Sequence, residues 1–236
     1  MLDTRAEGTG RGETRSTLVR VAARLLRERG AAAVTTRAVA EAAGVQAPTI
    51  YRLFGDKDGL LDAVAEHVFA AYVADKALAV ETSDPIADLR AGWDTQIGFG
   101  LANPALFVVL LADPARLTRS PAAAAGLEVL RARVHQIAAA GRLRVTERRA
   151  VELIRAAGTG AVLTLLSAPP EDRDPGLADA MYDAVLRSIL TDAPALADRT
   201  PAAAAIAFRT VVPDLTLLTD TERALLSEWL DRAART

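Results

Sequence analysis

The chain has 236 residues, 51% of them apolar and 4% aromatic, with a formal net charge of −2. That is apolar material for one large packed domain or two small ones. The absence of cysteine excludes a disulfide scaffold and thiolate metal sites, and two histidines, His67 and His135, are too few for a histidine-rich metal site. Alanine, the best helix former, is abundant, and β-branched clusters bounded by turn residues are scarce, so an all-α fold is expected. No apolar run approaches the roughly 18 residues of a membrane span, and no charged-then-apolar leader opens the chain. A cytoplasmic protein with no membrane partner is therefore expected. The charge is unevenly spread: residues 1–60 hold ten Arg and Lys against seven acids, net +3, and the other 176 residues carry net −5. That suits a small basic head on a mildly acidic body.

Residues 1–13 combine Gly, Thr and charge without apolar period and read as a disordered arm. Leu18, Val21, Ala22, Leu25 and Leu26 then recur at helical spacing over 14–29, and Gly30 supplies the stop. Thr35 is an N-cap for a second helix reaching about Ala43, and Gly44 sits where a tight turn needs positive φ. A third helix over about 47–54 carries Pro48 in its first turn, where the missing N–H is harmless. Gly55 ends it, and Asp56 can cap a long helix reaching about Val80. Residues 86–101 place Leu89, Trp93, Gln96, Ile97 and Gly100 on one face. Asn103-Pro104 restarts the chain for a short apolar helix through Leu111, and residues 113–121 read as a loop or short turn. Leu127, Leu130, Val134, Ile137 and Gly141 form a stripe at intervals of three and four. The helix expected over 146–166 is apolar on most sides, so other protein must cover it. A further helix fits 176–190, another fits 201–212, and Thr219 to Glu222 is a capping-box pattern that opens a last helix with Leu225, Leu226, Trp229, Leu230 and Ala233 inward.

The stretch from Thr35 to Leu60 carries the functional signal. Two short helices meeting at Gly44 form a helix-turn-helix, which places its second helix in the DNA major groove. Val39, Ala43, Val45, Ile50 and Leu53 are its packing set. Gln46 is suited to pair bidentately with adenine, whereas Ala47 and Pro48 offer apolar contact, for example to a thymine methyl. Thr49, Tyr51 and Lys57 suit phosphate oxygens, and the free N–H groups of the helix that Lys57 begins attract anions. Thr35, Thr36, Arg37 and Arg52 complete the expected DNA-binding set. The alternative is an ordinary helical hairpin with a surface Tyr and Lys.

Gly30 to Leu61, read as Gly-x-x-x-Val-Thr-Thr-Arg-x-Val-Ala-x-x-Ala-Gly-Val followed by Thr-Ile-Tyr-Arg-Leu-Phe-x-x-Lys-x-x-Leu-Leu, resembles the TetR family of transcriptional regulators. The resemblance covers about a quarter of the chain. Beside the disordered arm read over 1–13, it implies a helix-turn-helix domain over 14–60 and a ligand-binding and dimerisation domain over 61–236, in an Ω-shaped all-α homodimer. It also implies a repressor that binds a double-stranded DNA operator and is released by a small-molecule effector. Leu53 departs from the common pattern, which often has His or Tyr there, so no DNA contact is assigned to it.

By the same resemblance the helices over 146–166 and 176–190 pair with their copies across the dimer. Ile154, Gly158, Ala161, Val162, Leu165, Met181, Val185 and Ile189 are the residues expected in that contact, with Gly158 and Gly160 permitting close approach. The alternative is a central helix of the monomer core. Trp93, Gln96 and Phe99, with Phe107 and Leu110, are candidates for a largely apolar effector pocket with one polar anchor, or equally are core residues. Neither histidine is assigned a ligand role. An enzyme would need a catalytic constellation, and the sequence offers no cysteine, nucleophile elbow, metal spacing or paired carboxylates with a base, so no catalytic activity or cofactor is expected. A protein-interaction module that keeps the fold without reading DNA is the third reading. The row Arg20, Arg24 and Arg27 argues mildly against it.

Overall fold

The computed structural model describes residues 3–77, 82, 84–113, 115–191 and 201–235. They form twelve α-helices joined by turns and short 3-10 segments, and the chain divides into two compact units. The first comprises residues 1–78 and 102–126, the second residues 79–101 and 127–236. Among the described residues no helix is long and apolar enough to cross a membrane.

In the first unit α1 (Asp3–Arg29) buries Leu18, Val19, Ala22, Leu25 and Leu26, a stripe at helical spacing. The expected disordered arm over residues 1–13 is corrected here, because α1 is already helical from Asp3. No proline interrupts the segment, and lengthening a nucleated helix is far easier than starting one. After Gly30, a 3-10 turn over Ala31–Ala33 carries the chain to the fully buried Val34. Then come α2 (Thr36–Ala43), α3 (Ala47–Phe54) and α4 (Lys57–Ala77). α4 buries Leu60, Leu61, Val64 and Ala65, and it packs on both α1 and α3. α6 (Pro104–Ala112) lays Leu106, Val109 and Leu110 into the same core, against α1 and α4. α7 (Ala115–Arg119) forms where a loop or short turn was expected, and α8 (Pro121–Ala139) starts earlier than the apolar stripe suggests. Ser120 explains the early start, since its Oγ accepts from Ala123 N–H at 3.0 Å with Pro121 as the first helical residue. The boundary expected at residue 60 thus runs through the first unit, where α4, α6 and α7 share a core with the three leading helices.

The second unit is built on α5 (Pro85–Ala102), the rest of α8, α9 (Glu147–Leu166) and α10 (Leu177–Ile189). Asp84 caps α5, accepting from Ile86 N–H at 2.9 Å, and Thr146 caps α9, accepting from Arg149 N–H at 3.3 Å. α5 and α9 approach closely: a Cβ on Gly100 would come within 2.5 Å of Val162 Cγ1. α9 lies along α10, and Leu143 bridges antiparallel to Leu190, with Thr191 N–H donating to Arg142 at 2.9 Å. The unit ends in a hairpin of α11 (Pro201–Val211) and α12 (Asp220–Ala233). The capping box read from Thr219 and Glu222 is present. The inward face read for α12 is only partly formed, since Leu225 and Trp229 are exposed while Leu226, Leu230 and Ala233 are half-buried.

Candidate nucleic-acid interface

The turn geometry is set within a few residues. Thr35 has extended backbone, and its Oγ1 accepts from Ala38 N–H at 3.1 Å, so α2 starts at Thr36. Gly44 takes φ 67° and ψ 29°, the left-handed conformation, while Val45 N–H returns to the Ala40 carbonyl at 3.0 Å. The chain leaves this turn at Gln46, which is extended and makes no side-chain capping bond, so its carboxamide is not spent on the helix. Val39 and Ile50 are fully buried between the helices, and Ala43, Val45 and Leu53 are half-buried beside them.

This packing leaves a largely polar row outside. Thr35, Arg37, Gln46, Pro48, Tyr51, Arg52 and Lys57 are exposed, and Thr36, Ala47 and Thr49 are half-buried. The Tyr51 hydroxyl lies 3.4 Å from Thr36 Oγ1, so the start of α2 and the middle of α3 present two hydroxyls in one patch. Arg15, which the sequence reading did not single out, stands over the Phe54 ring at 5.2 Å from its centroid. The expected Asp56 cap is present at the N-terminus of α4, and it bears on the anion-attracting role read for that end. Asp56 Oδ1 already accepts from Gly59 N–H at 2.8 Å, so a carboxylate of the chain itself occupies part of the anion-attracting end. Lys57 keeps its exposed ammonium, and any hold on phosphate there belongs to that side chain more than to the helix end.

A polar ladder anchors α4 within the same unit. Asp58, Asp62 and Glu66, spaced by four, lie on one face of the helix. The buried Arg116 guanidinium donates to Asp58 Oδ1 and to Asp62 Oδ1, each at 2.7 Å. Arg119 pairs with Asp113 at 3.1 Å and holds that carboxyl below its ordinary range by hydrogen bonding. Glu66 closes the row, accepting from Ser120 Oγ at 2.6 Å and from Ala122 N–H at 3.0 Å. The helix that begins at Lys57 is thereby fixed to α7 and the start of α8.

In the second unit Trp93 is buried and leans on the Tyr182 ring, with centroids 5.4 Å apart. The Tyr182 hydroxyl donates to the Ile86 carbonyl at 3.3 Å, and burial pushes its pKa up to about 12, so it stays a neutral donor. Among the described residues the buried Trp93 Nε1 has no hydrogen-bond partner. Gln96 lies against Gly158, and Phe99 is half-buried on the same helix. Phe107 and Leu110 are on α6 in the first unit, Leu110 in its core and Phe107 half-buried.

The expected dimer residues require a correction. Ile154, Gly158, Ala161, Val162, Leu165, Val185 and Ile189 are buried within the single chain, and Met181 is half-buried. Gly158 closes on Gln96 and Trp93 of α5, and Val162 closes on Gly100. An apolar stripe marks what a helix must bury and does not say against what. The outward side of α9 is instead Ala156, Leu163 and Thr164 with the half-buried Gly160, where an added Cβ would meet nothing.

Three helices with a capped, left-handed turn between the second and third define a helix-turn-helix protein with a helical body. The sequence profile described as "Bacterial regulatory proteins, tetR family" matches residues 18–64. Through this N-terminal segment the chain is similar to that family. Over 55 residues it is 47% identical to the tetracycline repressor protein class A from transposon 1721 of Escherichia coli, a match covering 23% of this chain. The chain spans about a quarter, 26%, of the length of that curated relative. In fold it is similar to a putative TetR-family regulator from Rhodococcus, with a TM-score of 0.58 at 19% identity, over 75% of this chain and 98% of that one. A putative TetR-family regulator from Vibrio parahaemolyticus gives a TM-score of 0.55 at 20% identity, over 75% of this chain and 99% of the other.

Proposed function

We propose that the chain is a ligand-responsive transcriptional repressor that binds a pseudo-palindromic operator in the cytoplasm as a homodimer and is released by a small, mainly apolar effector. The observation that carries this reading is the exposed row on the helix-turn-helix, with every helix-turn-helix packing residue turned inward. Gln46, Ala47 and Pro48 read base edges at the start of α3. Thr36, Thr49, Tyr51, Arg52 and Lys57 hold phosphates, and Thr35 and Arg37 flank them at the start of α2.

A twofold dimer places two such helices about 34 Å apart, in successive major grooves. The pairing surface that fits is the outward side of α9 and α10. Ala156, Gly160 and Leu163 on the first, with Ala180 and Ala184 on the second, let two helix pairs approach closely. The effector reading rests on Trp93, Gln96 and Phe99, where a buried indole N–H without an acceptor supplies a polar anchor among apolar walls. An effector that binds one dimer spacing more tightly than another shifts the population toward it and releases the operator.

Selection from random duplexes at moderate salt, followed by gel shift, tests the reading. Enrichment of a pseudo-palindrome bound by two chains supports it. Binding that enriches no sequence, or no binding at all, overturns it.

A further inference from the structure

The second unit holds a cavity of about 890 Å³ that takes no part in DNA reading or in the Trp93 cluster. It lies where the end of α8 and the first turn of α9 face the α11–α12 hairpin. Its size falls within the range of small-molecule sites. Its walls are of two kinds. Val145, Ile206, Pro213, Leu230 and Ala234 make an apolar floor. Arginines 144, 148, 149, 209 and 235 stand around it against two acids, Glu147 and Asp231.

The acids are already engaged. Glu147 lies 3.3 Å from His135 Nδ1, and Asp231 lies 3.3 Å from Arg209 Nε. Arg148 is paired at 2.9 Å with Glu152, and Arg235 Nε donates to the Asp231 carbonyl at 3.1 Å. Among the described residues, Arg144 and Arg149 have no acid within ion-pair distance, and both side chains are exposed. The N-terminus of α9 borders the same space, but Thr146 caps it and Glu147 sits in its first turn, so the positive charge offered there is that of Arg144 and Arg149. Two uncommitted guanidinium forks above an apolar floor are complementary to one kind of molecule.

We propose that this cavity binds a small amphiphilic carboxylate, its headgroup on Arg144 and Arg149 and its apolar body along Ile206, Leu230 and Ala234. The planar fork of arginine matches a carboxylate bidentately, and the floor removes the alkyl chain from water. The site is independent of the operator reading, and its occupancy is measured without DNA.

Isothermal titration of the full-length protein with decanoate tests it, using decanol as the uncharged homologue and inorganic phosphate as a headgroup without a tail. The expected result is saturable one-to-one binding of decanoate, with decanol and phosphate each weaker by about tenfold or more. The double variant Arg144→Ala with Arg149→Ala, exposed positions whose loss leaves the fold intact by circular dichroism, is expected to weaken decanoate by about tenfold. Ala234→Phe fills the floor and is expected to abolish binding. Three results would overturn the proposal: no saturation by decanoate below about 1 mM, equal affinity for decanol or phosphate, or undiminished decanoate binding by the double arginine variant.

Discussion

The helix-turn-helix and the α9–α10 pair were both legible as helices, but only in the first does the packing face match the one read. In the head, the residues that decide the geometry are close in sequence: Thr35 caps Ala38, Gly44 turns the chain, and Val45 bonds back to Ala40. Fixing these fixes which residues of α3 point out. In the body, the face of α9 is decided by α5, which lies more than fifty residues earlier in the chain. Gly158 and Gly160 are two residues apart and nearly alike in sequence terms. One is closed by Gln96 and Trp93, and the other opens on empty space.

Substitutions that add one methyl group test this difference most strongly. Gly100→Ala in α5 drives a Cβ into the stiff, branched Val162, and Gly59→Ala in α4 drives one into the Phe54 carbonyl. Each is expected to destabilise by about 1–3 kcal/mol, read as a fall in the denaturation midpoint. Gly160→Ala is expected to leave the fold unchanged, because nothing lies near the added carbon. Its effect, a rise in the dimer dissociation constant, belongs to the proposed outward face. Unchanged association would remove Gly160 from the interface, and a large loss of fold stability would mean that the face is closed by the chain itself.

The anchoring of α4 comes next. Arg116→Ala removes a buried guanidinium that serves both Asp58 and Asp62, although both acids keep contact with water. With that screening a loss of about 1–2 kcal/mol is expected. Hydrogen exchange should rise in the first turns of α4 more than in α1. Uniform protection across the unit would show that the ladder does not hold α4 locally.

Smaller effects separate roles on the DNA face. Lys57→Ala is expected to lower the salt slope of binding by about 1 and to weaken all sequences alike. Gln46→Ala is expected to change base preference with little change in slope. Affinity measured at two salt concentrations on the selected site and on a scrambled one decides both. An unchanged slope in Lys57→Ala would shift phosphate holding to Tyr51 and Thr36.

Sequence reading recovered nearly every helix, because periodicity, caps and stops are local. Thr35, Gly44, Gly55, Asp56, Thr146 and Thr219 all act within four residues of themselves. It missed the Arg116 ladder, since the spacing of Asp58, Asp62 and Glu66 on α4 gives no hint of the residues near 116–122 that face them. It also read the α12 stripe as fully inward. A hairpin covered on one side only leaves Leu225 and Trp229 exposed.

The capping box of α12 shows that the dividing line is sequence distance and not the region of the molecule. It sits in the body, yet it was readable from four residues. Thr219 N–H donates to Glu222 Oε2 at 2.7 Å, and Thr219 Oγ1 accepts from Glu222 N–H at 3.3 Å. The backbone and hydroxyl donors of Thr219 hold the Glu222 carboxyl below its ordinary value of 4.5. A folded-state pKa below the unfolded one contributes stability that is present above pH 4.5 and is lost as pH falls through the folded value. Glu222→Gln keeps the side-chain shape and removes the charge. At neutral pH it is expected to lower the melting temperature slightly, and the gap from the parent protein should close as acid protonates Glu222. Melting curves of both proteins from pH 7 down to pH 3 check this. A gap that stays constant across that range would mean that the carboxylate charge adds nothing to the cap, and that α12 is held by its packing against α11 alone.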